Sequence, residues 1–589
     1  MATPMLAGLL KVAASDPKLK GLATQVGEPH LHITGIDQAR PWAIGTLANQ
    51  APVLVVTATG REAEDLTAEL TAMMGDKVAQ FPAWETLPHE RLSPGADIVG
   101  RRAQVLHRIA EGKLRVVVTA ARGYSQPILK NVEGRSPISL AEDMEIELEA
   151  IVSQLEFRAY KHVDMVAKRG EYAVRGGILD VFPTTLDYPV RVEFWGDEIT
   201  DIRQFSVADQ RAIPEIEVGA VDIFPARELP ITDDVAKRAQ DLALQHPGNA
   251  ALVELLTRVG EHIPADGMEA LLAVLSDAPL VTLPEFMPEG THVLLVAPEK
   301  IRTRIADLES TDAEFLAAGW EAAAMGADGP LAAEGLDTEA ASYRSYESLE
   351  ATCANANLPL WTFAPPGMFM ADESQTLPLE YEPGPTPRGD VKEIDAMMAQ
   401  LLAHTRDGGR AAFIAPAQGA IKRMVERFAE KGIRTKVATP GWEPTPGEVT
   451  LYQALSHAGL VFPKARSQGG ATKEALPLVV VTETDLTGNR VGDIAGAKRR
   501  PAKRRNRVDP LALKQGDHVV HETHGIGRFL KMAERTIQSG DETSRREYIV
   551  LEYAASKRGQ PADQLWVPMD SLDLLSKYTG GEKPTLSKM

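Results

Sequence analysis

Tyr172-Ala-Val-Arg-Gly-Gly-Ile-Leu-Asp-Val-Phe-Pro183 and Val190-Arg-Val-Glu-Phe-Trp195 decide how the first half of this chain is read. The first stretch is strand-like around a glycine pair. The second alternates strictly, which puts Val192 and Phe194 on one face of a strand and Arg191, Glu193 and Trp195 on the other. Gly196-Asp197 then reads as a hairpin turn into a strand over Glu198–Phe205. Short strands and turns of this kind predict an α+β unit with an antiparallel sheet over residues 136–222.

On either side the pattern changes. Residues 1–135 alternate apolar strands, Pro52-Val-Leu-Val-Val-Thr57 and Val116-Val-Val-Thr119, with helical spacing such as Leu66, Leu70 and Met73. That alternation predicts a parallel sheet covered on both faces. Helical patterns and the strand His292-Val-Leu-Leu-Val-Ala297 make residues 223–330 the same domain resuming after an insertion. Residues 331–388, rich in Gly, Pro, Ala and acids, predict an irregular connection with one Trp-containing strand near Leu360. Residues 389–490 read as a second α/β domain, with strands Ala411-Ala-Phe-Ile-Ala415 and Leu478-Val-Val-Val-Thr482 and a helix over Ala417–Lys431. A basic linker over residues 491–510 leads to residues 511–581, where several short strands closed by a helix over Ser571–Tyr578 suggest a small β-barrel.

Composition bounds the function. At 589 residues the chain exceeds a single core. Hydrophobic residues at 44% and charged ones at 25% exclude wholesale disorder. One cysteine, Cys353, leaves no disulfide framework and no cysteine cluster for zinc, so a reducing cytoplasm is the expected compartment. No run of about 18 apolar residues and no signal-type start appear, so neither secretion nor membrane contact is expected. A net charge of −19 argues against a surface built mainly to embrace DNA. Against it stands Lys498-Arg-Arg-Pro-Ala-Lys-Arg-Arg-Asn-Arg507, with seven basic residues in ten and no acid. This run reads either as a solvated linker or as a transient contact for nucleic acid or an acidic partner through Arg499, Arg500, Arg504 and Arg505.

The residues outline no catalytic constellation. His518, His521 and His524 do not converge, so no metal site is expected. Glu85, His89 and Asp97 have no spacing that pairs them for acid–base work. The motif G-x-x-x-x-G-K-[ST], whose glycines let backbone amides wrap phosphates, does not occur. Trp195 stays open on these grounds alone. It is either an exposed binding residue or the cap of a small core, and Arg175 and Arg191 are either binding groups or members of surface ion pairs.

Two sets of segments carry a family resemblance. Phe81-Pro-Ala-Trp-Glu-Thr-Leu-Pro-His-Glu-Arg-Leu-Ser-Pro94, the stretch His162-Val-Asp-Met-Val-Ala-Lys-Arg-Gly170 on to Pro183, and Arg191-Val-Glu-Phe-Trp-Gly-Asp-Glu-Ile199 form the first. They resemble the module shared by the excision-repair protein UvrB and the transcription-repair coupling (Mfd) family. Gly516-Asp-His-Val-Val-His-Glu-Thr-His-Gly-Ile-Gly-Arg-Phe529, Tyr548-Ile-Val-Leu-Glu-Tyr553 and Leu565-Trp-Val-Pro568 form the second. They resemble the RNA polymerase-interacting domain that this family shares with CarD-type regulators. Both in this order point to the coupling factors, over nearly the whole chain.

The resemblance implies a fold class of multidomain α/β: a degenerate helicase-like domain without its P-loop, an α+β insertion, a second α/β domain and a C-terminal SH3/Tudor-like small β-barrel. It implies an adaptor that binds stalled RNA polymerase through the β subunit and recruits UvrA. It assigns Arg175, Arg191 and Trp195 to the UvrA-binding face. It assigns polymerase contact to the strand over Arg528–Ile537, with Met532, Glu534, Arg535 and Ile537 as the candidate residues. Family members continue into an ATP- and Mg-dependent DNA translocase, and the chain stops at Leu586-Ser-Lys-Met589, about where that motor's linker would begin. No catalysis and no cofactor are therefore expected of these residues, and DNA contact is expected through the motor, weakly if at all through the basic run. A CarD-like regulator acting without repair proteins, and a helicase-like ATPase with an unrecognised nucleotide site, remain as alternatives.

Overall fold

The computed structural model describes residues 3–90, 92–130, 134–247, 250–324, 339–367, 375–462, 478–487, 515–521, 525–539, 542–554, 562, 564–568 and 575–577. The chain divides into two compact units, Met1–Gly492 and Asp493–Met589. The basic run with Arg499, Arg500, Arg504 and Arg505 lies outside the described residues. Among the described residues, no helix is long and apolar enough to cross a membrane.

The first unit is organised by a seven-stranded parallel sheet. Its order is Thr376–Leu379, His30–Gly35, Leu360–Ala364, His292–Val296, Val53–Thr57, Val116–Ala120 and Val78–Phe81. Central strands of such a sheet are buried on both sides, which is why Val53–Thr57 is a continuous apolar run. Val53, Val55, Val116 and Val118 face one layer of helices, with Leu10, Trp42, Leu66 and Leu70. Leu54, Val56 and Val117 face another, with Ile301, Ile305, Leu349 and Cys353. His292–Val296 lies in the middle of this sheet. Residues 331–388 do more than connect. They supply the helix Tyr346–Asn355 and two of the seven strands, one of them the expected Trp361 strand.

A second sheet runs Glu382–Pro383, Leu460–Phe462, Leu478–Thr482, Arg410–Ala415, Val449–Gln453, Thr435–Val437. Ala411, Phe413, Val449 and Leu451 point to its own helices, Val391–Arg406 and Gln418–Glu430. Ala412, Ile414, Tyr452, Leu460, Phe462 and Val480 point the other way and join the core that holds Leu10, Trp42 and Leu66. Trp42 and Phe462 meet edge to face at 5.7 Å. The buried Glu69 carboxylate accepts from the Ser456 hydroxyl at 3.1 Å and the His457 amide at 2.5 Å. Burial pushes that carboxyl above its ordinary range, and the nearby His457 and Arg40 pull it back. The second α/β domain is thus half-wound: helices of the first domain cover the sheet face that its own helices leave bare.

The insertion spans Ile138–Ala141 to Ala220–Ile223, a pair of antiparallel strands at its base. Its main sheet runs Ala212–Glu217, Glu198–Phe205, Val190–Trp195, Ile178–Val181, Glu171–Arg175, Lys161–His162. All neighbours are antiparallel except the last pair. The helix Leu148–Phe157 covers one face over Leu179, Val192 and Ile202.

In the second unit, five antiparallel strands run Gln564–Pro568, Glu542–Glu552, Gly525–Ser539, His518–His521, Leu575–Lys577. Their core is Val519, Phe529, Ile549, Leu551, Tyr553 and Val567. A pairing of the outermost strands that would close a barrel is not among the described residues. The helix expected over Ser571–Tyr578 is replaced at Leu575–Lys577 by a strand paired with His518–His521.

Candidate functional site

The register of the insertion sheet settles what shares a face with Trp195. Across the strands, Ala173, Asp180, Arg191 and Arg203 form one row, and Arg175, Ile178, Glu193 and Asp201 the next. Trp195 follows Glu193 two residues along, beside the turn whose Gly177 carbonyl accepts from the Phe194 amide at 2.8 Å. Gly176 and Gly196 hold the two hairpin turns at φ +62, a left-handed conformation that side chains with a Cβ rarely adopt. Arg191 and Trp195 therefore occupy one face, as the alternation predicts, and the row through Ile178 and Glu193 puts Arg175 on it as well. Phe194 packs on the opposite core.

Their environments differ. Trp195 is 81% exposed and does not cap a core. Arg175 is exposed, and its guanidinium donates to the Asp164 carbonyl. Arg191 is not a free binding cation. Its Nε and Nη2 donate to the two oxygens of buried Asp180 at 2.7 and 2.8 Å, and its guanidinium lies 4.9 Å from the centre of the Phe205 ring. The hydrogen bonds to Asp180 raise its pKa further above the ordinary arginine value. Arg203 is likewise held by Glu193 and Asp201.

Phe205 belongs to a small second cluster with Val166, Ala173 and Phe182 on this outer face. Arg191 roofs it, which is the capping role that alternation alone leaves open for Trp195. Arg191→Ala should therefore destabilise the module by about 2–3 kcal/mol, somewhat under the ~3–5 kcal/mol of a fully buried pair, because it strands the Asp180 carboxylate. Urea unfolding would check this; a change within about 0.5 kcal/mol would mean that the pair is inert.

Sequence reasoning missed the anchor of the insertion. Arg102, 1% exposed on the helix Ala96–Ala110, donates to Glu228, to the Pro82 carbonyl at 2.9 Å and to Gln126 at 3.1 Å. Its guanidinium stacks 4.4 Å from the Phe81 ring centre. The Trp84 indole donates to the same Glu228 oxygen at 2.8 Å. The Phe81–Pro88 loop is thus a joint between the parallel sheet and the chain leaving the insertion. The only advance sign was an arginine at a helix position that turns inward.

In the second unit, Phe529 bonds through both its amide and its carbonyl to the 516–517 segment. Leu551 lies opposite it on Glu542–Glu552. Counting along that strand puts Lys531, Ala533 and Arg535 in hydrogen-bonded pairs with Val550, Tyr548 and Arg546. The backbones of Met532, Glu534 and Thr536 then face away from it. The partner on that side, His518–His521, pairs no further than Arg528. Among the described residues this leaves an open edge, with Met532 38% exposed. The side chains of Glu534, Arg535 and Ile537 lie outside the described residues.

Two stretches match family models: "UvrB interaction domain" over residues 138–229 and "CarD-like/TRCF RID domain" over residues 513–579. The chain is also similar to transcription-repair-coupling factors. That of Mycobacterium bovis is 45% identical over 99% of this chain and 47% of its own length. That of Escherichia coli is 28% identical over 95% of this chain and 46% of its own, and that of Bacillus subtilis 24% identical over 94% and 45%. The chain spans about half the length of the curated relatives it matches.

Proposed function

The chain belongs to the transcription-repair-coupling factor family, and we propose that it supplies two recognition surfaces of such a factor, one for UvrA and one for the RNA polymerase β subunit. The observation that carries the first is Trp195: a large aromatic, 81% exposed on the face that also carries Arg175, in the stretch matched as a UvrB interaction domain. Exposed Trp and Arg are the residue types most enriched in binding hot spots. The open edge at Met532, Glu534 and Thr536 supports the second, since an unpaired strand edge can add a partner's strand. Arg191 enters this reading as the residue that, paired to Asp180, covers the Phe205 cluster beneath this face.

We propose no catalytic step and no cofactor for these residues. The loop after His30–Gly35 is Ile36-Asp37-Gln38-Ala39-Arg40, with Arg40 paired to Asp37, and it lacks the glycines and lysine of a phosphate cradle. On this reading the parallel sheet is a helicase-like scaffold without its nucleotide site, the second unit a small SH3/Tudor-like barrel, and the compartment the cytoplasm. ATP-driven translocation on DNA belongs to the longer proteins of the family. Calorimetric titration of the chain with purified UvrA, and separately with the polymerase β subunit, tests the proposal. Saturable binding to both is expected. Binding to polymerase alone would favour the CarD-like alternative, and binding to neither would overturn the proposal.

A further inference from the structure

The loop between Lys161–His162 and Glu171–Arg175 carries a side chain that nothing among the described residues explains. Met165 is 55% exposed, while its neighbour Val166 is 1% exposed in the Phe182–Phe205 cluster. A loop that merely strayed into solvent would be loosely held, and this one is pinned three ways. Val166 is plugged into the cluster. The Glu171 carboxylate accepts from the Ala167 and Lys168 amides at 2.9 and 2.8 Å. The Arg175 guanidinium donates to the Asp164 carbonyl. The backbone that carries Met165 is therefore held in place, so a partner that covers it orders little more than the side chain itself.

Its placement extends the Trp195 face. Arg175 lies in the row with Ile178 and Glu193, two strands from Trp195's own, and its guanidinium grips the residue next to Met165. Crossing the sheet, the groups open to solvent are Trp195, then Arg175, then Met165. Arg191 and Arg203, which would make the face broadly cationic, are already neutralised by Asp180, Glu193 and Asp201. Among the described arginines of this face, Arg175 is the one left open, and it lies between two apolar side chains. Methionine suits such a position because its unbranched thioether adapts to the contour of an apolar pocket.

We propose that Met165 is a second apolar anchor of the UvrA-binding face, and that the partner surface presents a carboxylate for Arg175 flanked by two apolar pockets, one for Trp195 and one for Met165. The inference rests on the reading of this face as the UvrA site. The test measures UvrA affinity of the whole chain and its Trp195→Ala, Met165→Ala, Met165→Glu and Met165→Leu variants, each with its thermal midpoint. Met165→Ala is expected to weaken binding about tenfold, as loss of a hot-spot side chain does. Met165→Glu should weaken it more, and Met165→Leu should stay near wild type, all with unchanged midpoints. If Trp195→Ala weakens binding and Met165→Ala and Met165→Glu do not, the Met165 inference is overturned while the reading of the face survives. If no variant, Trp195→Ala included, weakens binding, both are overturned. A fall in thermal midpoint for Met165→Ala that matches its loss of affinity would overturn the anchor role in favour of a packing role.

Discussion

Arg102→Ala is expected to destabilise the first unit by about 3–5 kcal/mol, the range for stranding one member of a buried ion pair. The residue is 1% exposed and its partner Glu228 has a 9% exposed side chain, so neither charge has water to fall back on. Removing the guanidinium takes an ion-pair partner from the Glu228 carboxylate, which keeps the Trp84 indole and the charge of nearby Arg135, strips a donor from Gln126 and the Pro82 carbonyl, and opens space beside Phe81. The contact also has a location that matters. Two residues away on the same helix, a Cβ on Gly100 would collide with the Thr184 hydroxyl oxygen. Thr184 and Tyr160 both donate to the Phe224 carbonyl, at 3.2 and 2.8 Å. Helix and insertion thus touch at Gly100 and are riveted at Arg102. The double variant Arg102→Met, Glu228→Gln removes both charges and should recover a good part of the loss. Thermal unfolding of the three chains checks this, and an Arg102→Ala midpoint equal to wild type would sink it.

The second large effect is expected at Glu534. Its backbone faces the open edge, so Glu534→Pro should remove one outward amide while leaving the pairing of Gly525–Ser539 with Glu542–Glu552 in place. If polymerase is held by strand addition, its carbonyl opposite that amide is left buried without a donor. The affinity should then fall by roughly thirtyfold or more, about 2 kcal/mol. Arg535→Pro makes the comparison sharp, because its amide faces the paired strand and its loss should damage the unit itself. Salt separates this mechanism from capture by the basic run. A charge contact fades as the screening length shrinks from about 10 Å at 0.1 M to about 3 Å at 1 M, and strand pairing fades less. Polymerase binding that tolerates Glu534→Pro but vanishes when residues 498–507 are neutralised would rule out strand addition.

How much of this could be read in advance depended on how far the deciding neighbour lay along the chain. Val53–Thr57 and Val116–Ala120 were legible because strands covered on both faces are written as apolar runs. Leu360–Ala364 was legible as a strand around Trp361, but Thr376–Leu379 sits among prolines and acids and becomes a strand through parallel pairing with His30–Gly35, far back in the chain. At Leu575–Lys577, three residues carry no usable period, and cross-strand partners at Val519 to His521 decide the matter. The face of Trp195 was legible because alternation needs only its own strand, while its exposure was left open. Arg191 was half legible: its face followed from alternation, but its partner Asp180 is fixed by register across the neighbouring strand. Arg102 left only its inward place on the helix as a signal and Met165 left none, since one needs the insertion docked and the other needs its loop pinned.

That one chain carries two separate recognition surfaces is tested most directly by a two-by-two binding measurement. UvrA and the RNA polymerase β subunit are each titrated with wild type, Trp195→Ala and Glu534→Pro. Trp195→Ala should lose about 2 kcal/mol or more toward UvrA and nothing toward polymerase. Glu534→Pro should do the reverse. Both variants keeping both partners at wild-type affinity, or either variant losing both while still folded, would contradict the claim.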